Sequence, residues 1–125
     1  MIIYNLFPLL AGKLSHWKPH IERVADMGFD WIFVNPIQQS GMSGSLYSIV
    51  DYFHIDPRLV AADSPLPPDE QMRAAIRIAE DHGIQMMVDL VINHCACDSR
   101  LAHEHPAWFV REPDGSIAHP FCIED

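Results

Sequence analysis

The segment Met87-Val88-Asp89-Leu90-Val91-Ile92-Asn93-His94 sets three polar side chains among five apolar ones. A carboxylate inside an apolar run must be hydrogen-bonded or charge-paired, because burying it alone costs several kcal/mol. Asn93 and His94 emerge together where the run ends, at the carboxyl edge where parallel α/β sheets place their ligands. Hydrogen bonding to a polar ligand is the chemistry open to them; a core strand with a polar exit is the other reading. A second constellation follows at once. His94-Cys95-Ala96-Cys97 and then His103-Glu104-His105 gather nitrogen and sulfur donors of the kind zinc accepts. The Cys-x-Cys spacing belongs neither to a zinc ribbon nor to a Cys-x-x-Cys redox pair, and a solvated loop explains it as simply. A small metal- or partner-binding α/β module built on this loop is therefore the alternative function.

Positioning such groups takes a frame, and the chain reads as strands alternating with helices. Ile2 to Pro8 is a first apolar run. Ser15 can cap a helix in which Trp17, Ile21, Val24 and Ala25 fall at helical spacing, with Gly28 as its stop. Trp31 to Val34 is a second buried strand, ended by Asn35-Pro36. The proline- and acid-rich stretch from Asp63 to Asp69 starts a second helix, whose stripe of Met72, Ile76 and Ala79 runs to His82-Gly83. Ile84 to Ile92 is then a third strand, too apolar to be solvated and too short for a typical helix. Single helices between strands imply right-handed β-α-β units and a parallel sheet. The connections 36–64 and 94–125 exceed the usual β-α loop, and long loops in compact domains often carry function. Trp108-Phe109-Val110 and Ile117 flank Pro113-Asp114-Gly115, the pattern of a small hairpin.

A chain of 125 residues can hold one domain with a real core. Its formal charge of −9 argues against nucleic acid, which is bound through Lys and Arg, and suits neutral ligands. No apolar run approaches a membrane span. The amino terminus lacks the basic and then hydrophobic pattern of a secretory signal, so a cytoplasmic protein is expected. The three cysteines, with only Cys95 and Cys97 close together, read as free thiols rather than a disulfide framework.

Four segments together carry a resemblance. Asp89-Leu90-Val91-Ile92-Asn93-His94 resembles the first motif of the α-amylase family of glycoside hydrolases and transglycosylases. Tyr4-Asn5-Leu6-Phe7-Pro8 resembles that family's first strand, and Gly28 to Pro36 its Gly-to-Pro second-strand motif. Tyr47-Ser48-Ile49-Val50-Asp51-Tyr52-Phe53-His54-Ile55-Asp56-Pro57 resembles the loop that follows. The match runs from Tyr4 to Trp108. The segments Glu104 to Phe109 and Pro113 to Ile117 resemble, more finely, the loop of maltosyltransferases that extend α-1,4-glucans from maltose 1-phosphate.

The resemblance implies an α/β fold, with residues 1–125 as the N-terminal portion of a (β/α)8 TIM barrel, incomplete as given. Three strands and two helices make about three of the eight β/α units, and a whole barrel takes about 250 residues. Such a piece alone leaves open apolar edges. The family cleaves α-glucosidic bonds through a carboxylate nucleophile, a carboxylic acid and a covalent glycosyl intermediate. Those acids follow later strands, so no catalytic residue is expected in this chain, and the fragment should be inactive alone. An α-glucan or maltooligosaccharide is the implied partner.

The resemblance also implies roles residue by residue. His94 matches the histidine that contacts sugar hydroxyls, a task suited to a ring that can donate from one nitrogen and accept at the other. Tyr47 matches the tyrosine that stacks on the same sugar. Leu46 precedes it where the family usually has Gly, a residue that permits positive φ. Asp89 matches a structural hydrogen-bonding aspartate, and Asp51 a residue that orders the loop. Gln38, Gln39 and His54 are unassigned polar neighbours, and Trp108 and Phe109 could line outer subsites. Asn93 matches a carbonyl ligand of calcium in calcium-dependent members, but Cys95 and Cys97 beside it bring sulfur to an ion that prefers oxygen. No other cofactor is expected.

Overall fold

A computed structural model of the chain describes residues 1–119. Strand β1 (Ile3–Leu6) leads through a single-turn helix, α1 (Pro8–Ala11), to helix α2 (Lys18–Asp26) and strand β2 (Trp31–Val34). An inserted pair, β3 (Gln38–Ser40) and β4 (Ile49–Ile55), precedes helix α3 (Pro68–Asp81) and strand β5 (Gln85–Val88). A short helix, α4 (Arg100–Glu104), lies in the last segment.

The main sheet has the order β1-β2-β5, all parallel, with Leu6 beside Val34 and Val34 beside Val88. Its strands are joined by the two crossover helices, and α2 packs against α3. Side chains alternate across a strand, so Leu6, Ile32, Val34 and Met86 meet Ile21, Val24, Met72, Ala75 and Ala79 in one core. Each large aliphatic buried there contributes about 1.5–3 kcal/mol relative to exposure. Asn5, Phe33 and Met87 take the opposite face, which α2 and α3 leave uncovered. The parallel sheet and both helices fall where the apolar periodicity puts them.

Three details differ from the sequence-based expectation. Helix α2 starts at Lys18 with Pro19 in its first turn, and Ser15 sits in a preceding 3-10 turn, Leu14–His16, without capping it. Trp17, fully buried, anchors that entry, and its indole Nε1 donates to the Gly12 carbonyl at 3.0 Å. The third strand is shorter than the run Ile84 to Ile92. Only Gln85–Val88 pair with β2, and Leu90 and Ile92 are 55% and 84% exposed. The cause is position: β5 is an edge strand here, and of Leu90, Val91 and Ile92 past its end only Val91 is buried.

The connection 36–64 is not irregular throughout. It holds the antiparallel pair β3–β4, whose register shifts twice, on either side of Gln39. The last segment contains an isolated antiparallel bridge, Arg111 to Ile117, around the Pro113-Asp114-Gly115 turn, with Gly115 at φ +88°. Residues 120–125, the end of the expected loop 94–125 and of the expected domain, lie outside the described residues. Among the described residues no helix is long and apolar enough to cross a membrane.

Candidate functional site

Polar side chains concentrate where β1 and β2 end. Asn5 Nδ2 donates to the Phe33 carbonyl at 3.2 Å and to Asn35 Oδ1 at 3.0 Å. Asn35 Nδ2 in turn donates to the Tyr47 hydroxyl at 2.7 Å. Three side chains thus run in series from β1, across the end of β2, to the loop between β3 and β4. Tyr47 is 39% exposed, while Leu46 before it is buried. Among the described residues none other than glycine has positive φ, and Gly44, at φ +72°, takes the left-handed turn of this loop. Leucine therefore replaces the family's usual glycine without backbone strain, and its side chain anchors the loop.

The foot of the loop is clamped. Asp56, buried, accepts from Ser40 N and Oγ, from Arg58 N, and from Arg58 Nε and Nη2. Arg58 Nη1 donates to the Gly44 carbonyl at 3.0 Å, and Nη2 also reaches Ser40 Oγ. Burial alone would push the Asp56 carboxyl up. The Arg58 guanidinium, the Ser40 hydroxyl and two main-chain N–H groups outweigh it and hold the carboxyl well below the usual carboxylate range.

Asp51, also buried, is a second hub. Its carboxylate accepts from Phe53 N at 2.9 Å, from Arg100 Nη1 at 2.8 Å, and pairs with His54 Nδ1 at 2.9 Å. Burial again opposes ionisation, and these donors again win, so its pKa is lowered. Arg100 belongs to α4, so Asp51 ties the segment after β5 to strand β4. Three more bonds run beside it: Ala96 N to the Ile49 carbonyl at 2.9 Å, Ser99 Oγ to Val50 O at 3.4 Å, and the Tyr52 hydroxyl to His94 O at 2.9 Å. Burial, with the nearby Cys95, pushes the Tyr52 phenol up, which keeps its proton on as a donor.

His94 is half-buried, held by its carbonyl, with Nδ1 3.4 Å from the Asn93 amide. Asn93 is exposed. Asp89 is half-buried just past β5; its main-chain N–H donates to Val34 O at 2.8 Å. Among the described residues its carboxylate has no hydrogen-bond partner, contrary to the expectation that it must be paired, because Asp89 is only half-buried and its neighbours Val88 and Leu90 are exposed. Nor does a hydrogen bond join Tyr47, His94 and Asp89 directly. Gln38 and Gln39 lie on β3, with Gln38 Oε1 buried and unpartnered. Trp108 is 67% exposed and stacks on His105 at 3.9 Å between ring centroids.

No three His, Cys, Asp or Glu side chains gather into a metal-sized group among the described residues, so the nitrogen and sulfur ligands around His94 and His105 do not converge. Calcium takes six to eight oxygens; Asn93 is exposed, and its neighbours His94 and Cys95 bring nitrogen and sulfur beside its carbonyl. Asn5, Asn35 and Arg100 are the contributors that sequence reasoning passed over. Asn35 could have been found, since in the sequence it ends an apolar run just as Asn93 does.

The family described as glycogen debranching enzyme, glucanotransferase domain, matches residues 1–109. An α-1,4-glucan:maltose-1-phosphate maltosyltransferase of Myxococcus xanthus is 29% identical over 91% of the chain and 20% of its own length. A cyclomaltodextrinase of Geobacillus thermopakistaniensis is 32% identical over 68% of the chain and 13% of its own length. The chain spans a fifth or less of these curated relatives. In structure, an α-amylase from Lactobacillus plantarum superposes with a TM-score of 0.82 at 28% identity, over 97% of this chain and 29% of the amylase.

Proposed function

The chain belongs to the glycogen debranching enzyme glucanotransferase-domain family, within the α-amylase family, and from that premise we propose that it is the N-terminal part of a catalytic (β/α)8 barrel. The complete protein is a retaining, α-glucan-active glycosidase or glucanotransferase. The observation that carries this reading is the placement of the polar groups. Asn5, Asn35 and the Tyr47 hydroxyl form one series at the carboxyl ends of parallel strands, the edge at which barrel enzymes build their sites. The share of the amylase that the chain covers, 29%, supports three of eight units.

In this reading Tyr47 presents its ring to the apolar face of a sugar and His94 hydrogen-bonds its hydroxyls. Asp51 and Asp89 are structural, Asp51 by fixing the strand that leads from Tyr47 to the His94 segment. The chain supplies recognition, while the nucleophile and the acid come from later strands. A glycosyl-carboxylate bond forms as the glucosidic bond breaks, the acid protonates the leaving oxygen, and water or a sugar hydroxyl then takes the glycosyl group. The 125-residue chain is inactive by itself. Cys95 and Cys97, free thiols among the described residues, suit a reducing, cytoplasmic setting.

Two measurements test this. The intact mass of the native polypeptide should be several times that of this chain. Incubation of the 125-residue chain with maltoheptaose should give no shorter or longer glucans. A native mass near 14.2 kDa, or turnover at an enzyme-like rate by the isolated chain, would overturn the reading.

A further inference from the structure

We infer that Asn35, braced by Asn5, is a positioning residue that fixes the plane of the Tyr47 ring. The inference rests on the sugar-stacking role proposed for Tyr47. Tyr47 lies in the turn-rich loop between β3 and β4 and is 39% exposed, so packing alone holds it weakly. Among the described residues its side chain makes a single hydrogen bond, the one accepted from Asn35 Nδ2 at 2.7 Å.

Asn35 is well placed to act as an anchor. It directly follows β2, its main-chain N–H reaches Leu6 O at 3.4 Å, and the fully buried Pro36 comes next. Its Oδ1 accepts from Asn5 Nδ2, which also holds the Phe33 carbonyl. With Oδ1 engaged by Asn5, the amide is oriented so that its Nδ2 faces the phenol. The loop tip is thereby tied to two strands of the sheet. A ring that must stack on a sugar loses rotamer freedom on binding, and one already held in plane loses less.

The test is nuclear magnetic resonance of the 125-residue chain with 13C-labelled tyrosine rings, with and without maltoheptaose. Asn35→Leu should loosen the Tyr47 ring and weaken maltoheptaose binding about three- to tenfold. Asn35→Asp, whose carboxylate can accept from both Asn5 and the Tyr47 hydroxyl, should restore ring order and binding. Tyr47→Phe removes the same bond from an exposed position, where folding is not at stake. It should match Asn35→Leu, and the double variant should lose no more than either alone. An unchanged Tyr47 ring in Asn35→Leu, or losses that add in the double variant, would overturn the inference. A ring that loosens as expected while maltoheptaose binding stays unchanged would instead overturn the sugar reading of Tyr47 and leave the brace standing.

Discussion

Arg58 grips Asp56 side-on, with Nε at 2.9 Å and Nη2 at 2.7 Å, and spends its remaining Nη1 on the Gly44 carbonyl. One guanidinium thus connects the end of β4 to the loop that carries Tyr47. The planar fork matters, because a lysine offers a point charge rather than two aligned donors.

Asp56→Asn should therefore cost about 2 kcal/mol of stability, since several donors lose a charged acceptor and some stay buried without one. Arg58→Lys should cost less, the side chain being 42% exposed, but should release the Gly44 carbonyl. Urea denaturation of the three proteins checks the order. Equal midpoints would mean that the clamp contributes nothing.

Acid should loosen the same region. Asp51 and Asp56 are both held below their ordinary values in the folded chain. A depressed carboxyl contributes stability that is fully present above its unfolded value, near pH 4, and is lost as pH falls through the folded value. Stability should then be flat from neutrality to about pH 5 and decline below it. The decline should be shallower in Asp56→Asn, which has one such group fewer. Identical slopes for variant and parent would rule out Asp56 as a contributor.

The helix-and-strand frame was legible because Ile21 and Val24 on α2, and Met72, Ile76 and Ala79 on α3, repeat at the helical period and lie in or against one core. The β3–β4 pair was not, for its strands carry no clean alternation: Asp51 is buried among the ladder residues while Phe53 is 84% exposed. Burial there is decided by hydrogen bonds from Phe53, His54 and Arg100, and Arg100 lies 49 positions away in sequence. Tyr47 and His94 could be singled out by motif, whereas Asn5 and Asn35 gain their meaning only when β1 and β2 are laid side by side. The end of the third strand was misjudged for a related reason. An apolar run reveals what could be buried, and the number of neighbouring strands decides what is.

Gly41 lies where the hairpin loop meets the segment after β5. A Cβ placed there would lie 2.7 Å from Ala96 Cβ and closer still to Asp98 Oδ1. Among the described residues that oxygen is buried without a partner, while Oδ2 accepts from Met42 N at 3.2 Å. Gly41→Ala should force the two segments apart and cost about 1–3 kcal/mol. Hydrogen exchange should rise at Ala96 N, whose bond to Ile49 O lies alongside. Unchanged exchange at Ala96 would show that the contact yields freely.

His94 offers the sharpest separation of chemistry from folding. Among the described residues its ring meets only the Asn93 amide, at Nδ1, and Nε2 is left to meet a ligand, because the carbonyl and not the ring takes the Tyr52 hydroxyl. In a complete barrel His94→Ala should lower kcat/KM about tenfold or more through lost contacts to the sugar, with thermal stability near that of the parent. Tyr52→Phe should do the reverse in emphasis. It leaves the imidazole in place but frees the segment that presents it, costing about 1 kcal/mol of stability and lowering kcat/KM less than His94→Ala does. Paired kinetics and melting curves distinguish the two. If Tyr52→Phe proved the more damaging to turnover, His94 would be a scaffold residue and the sugar contact would have to be sought elsewhere along the same strand ends.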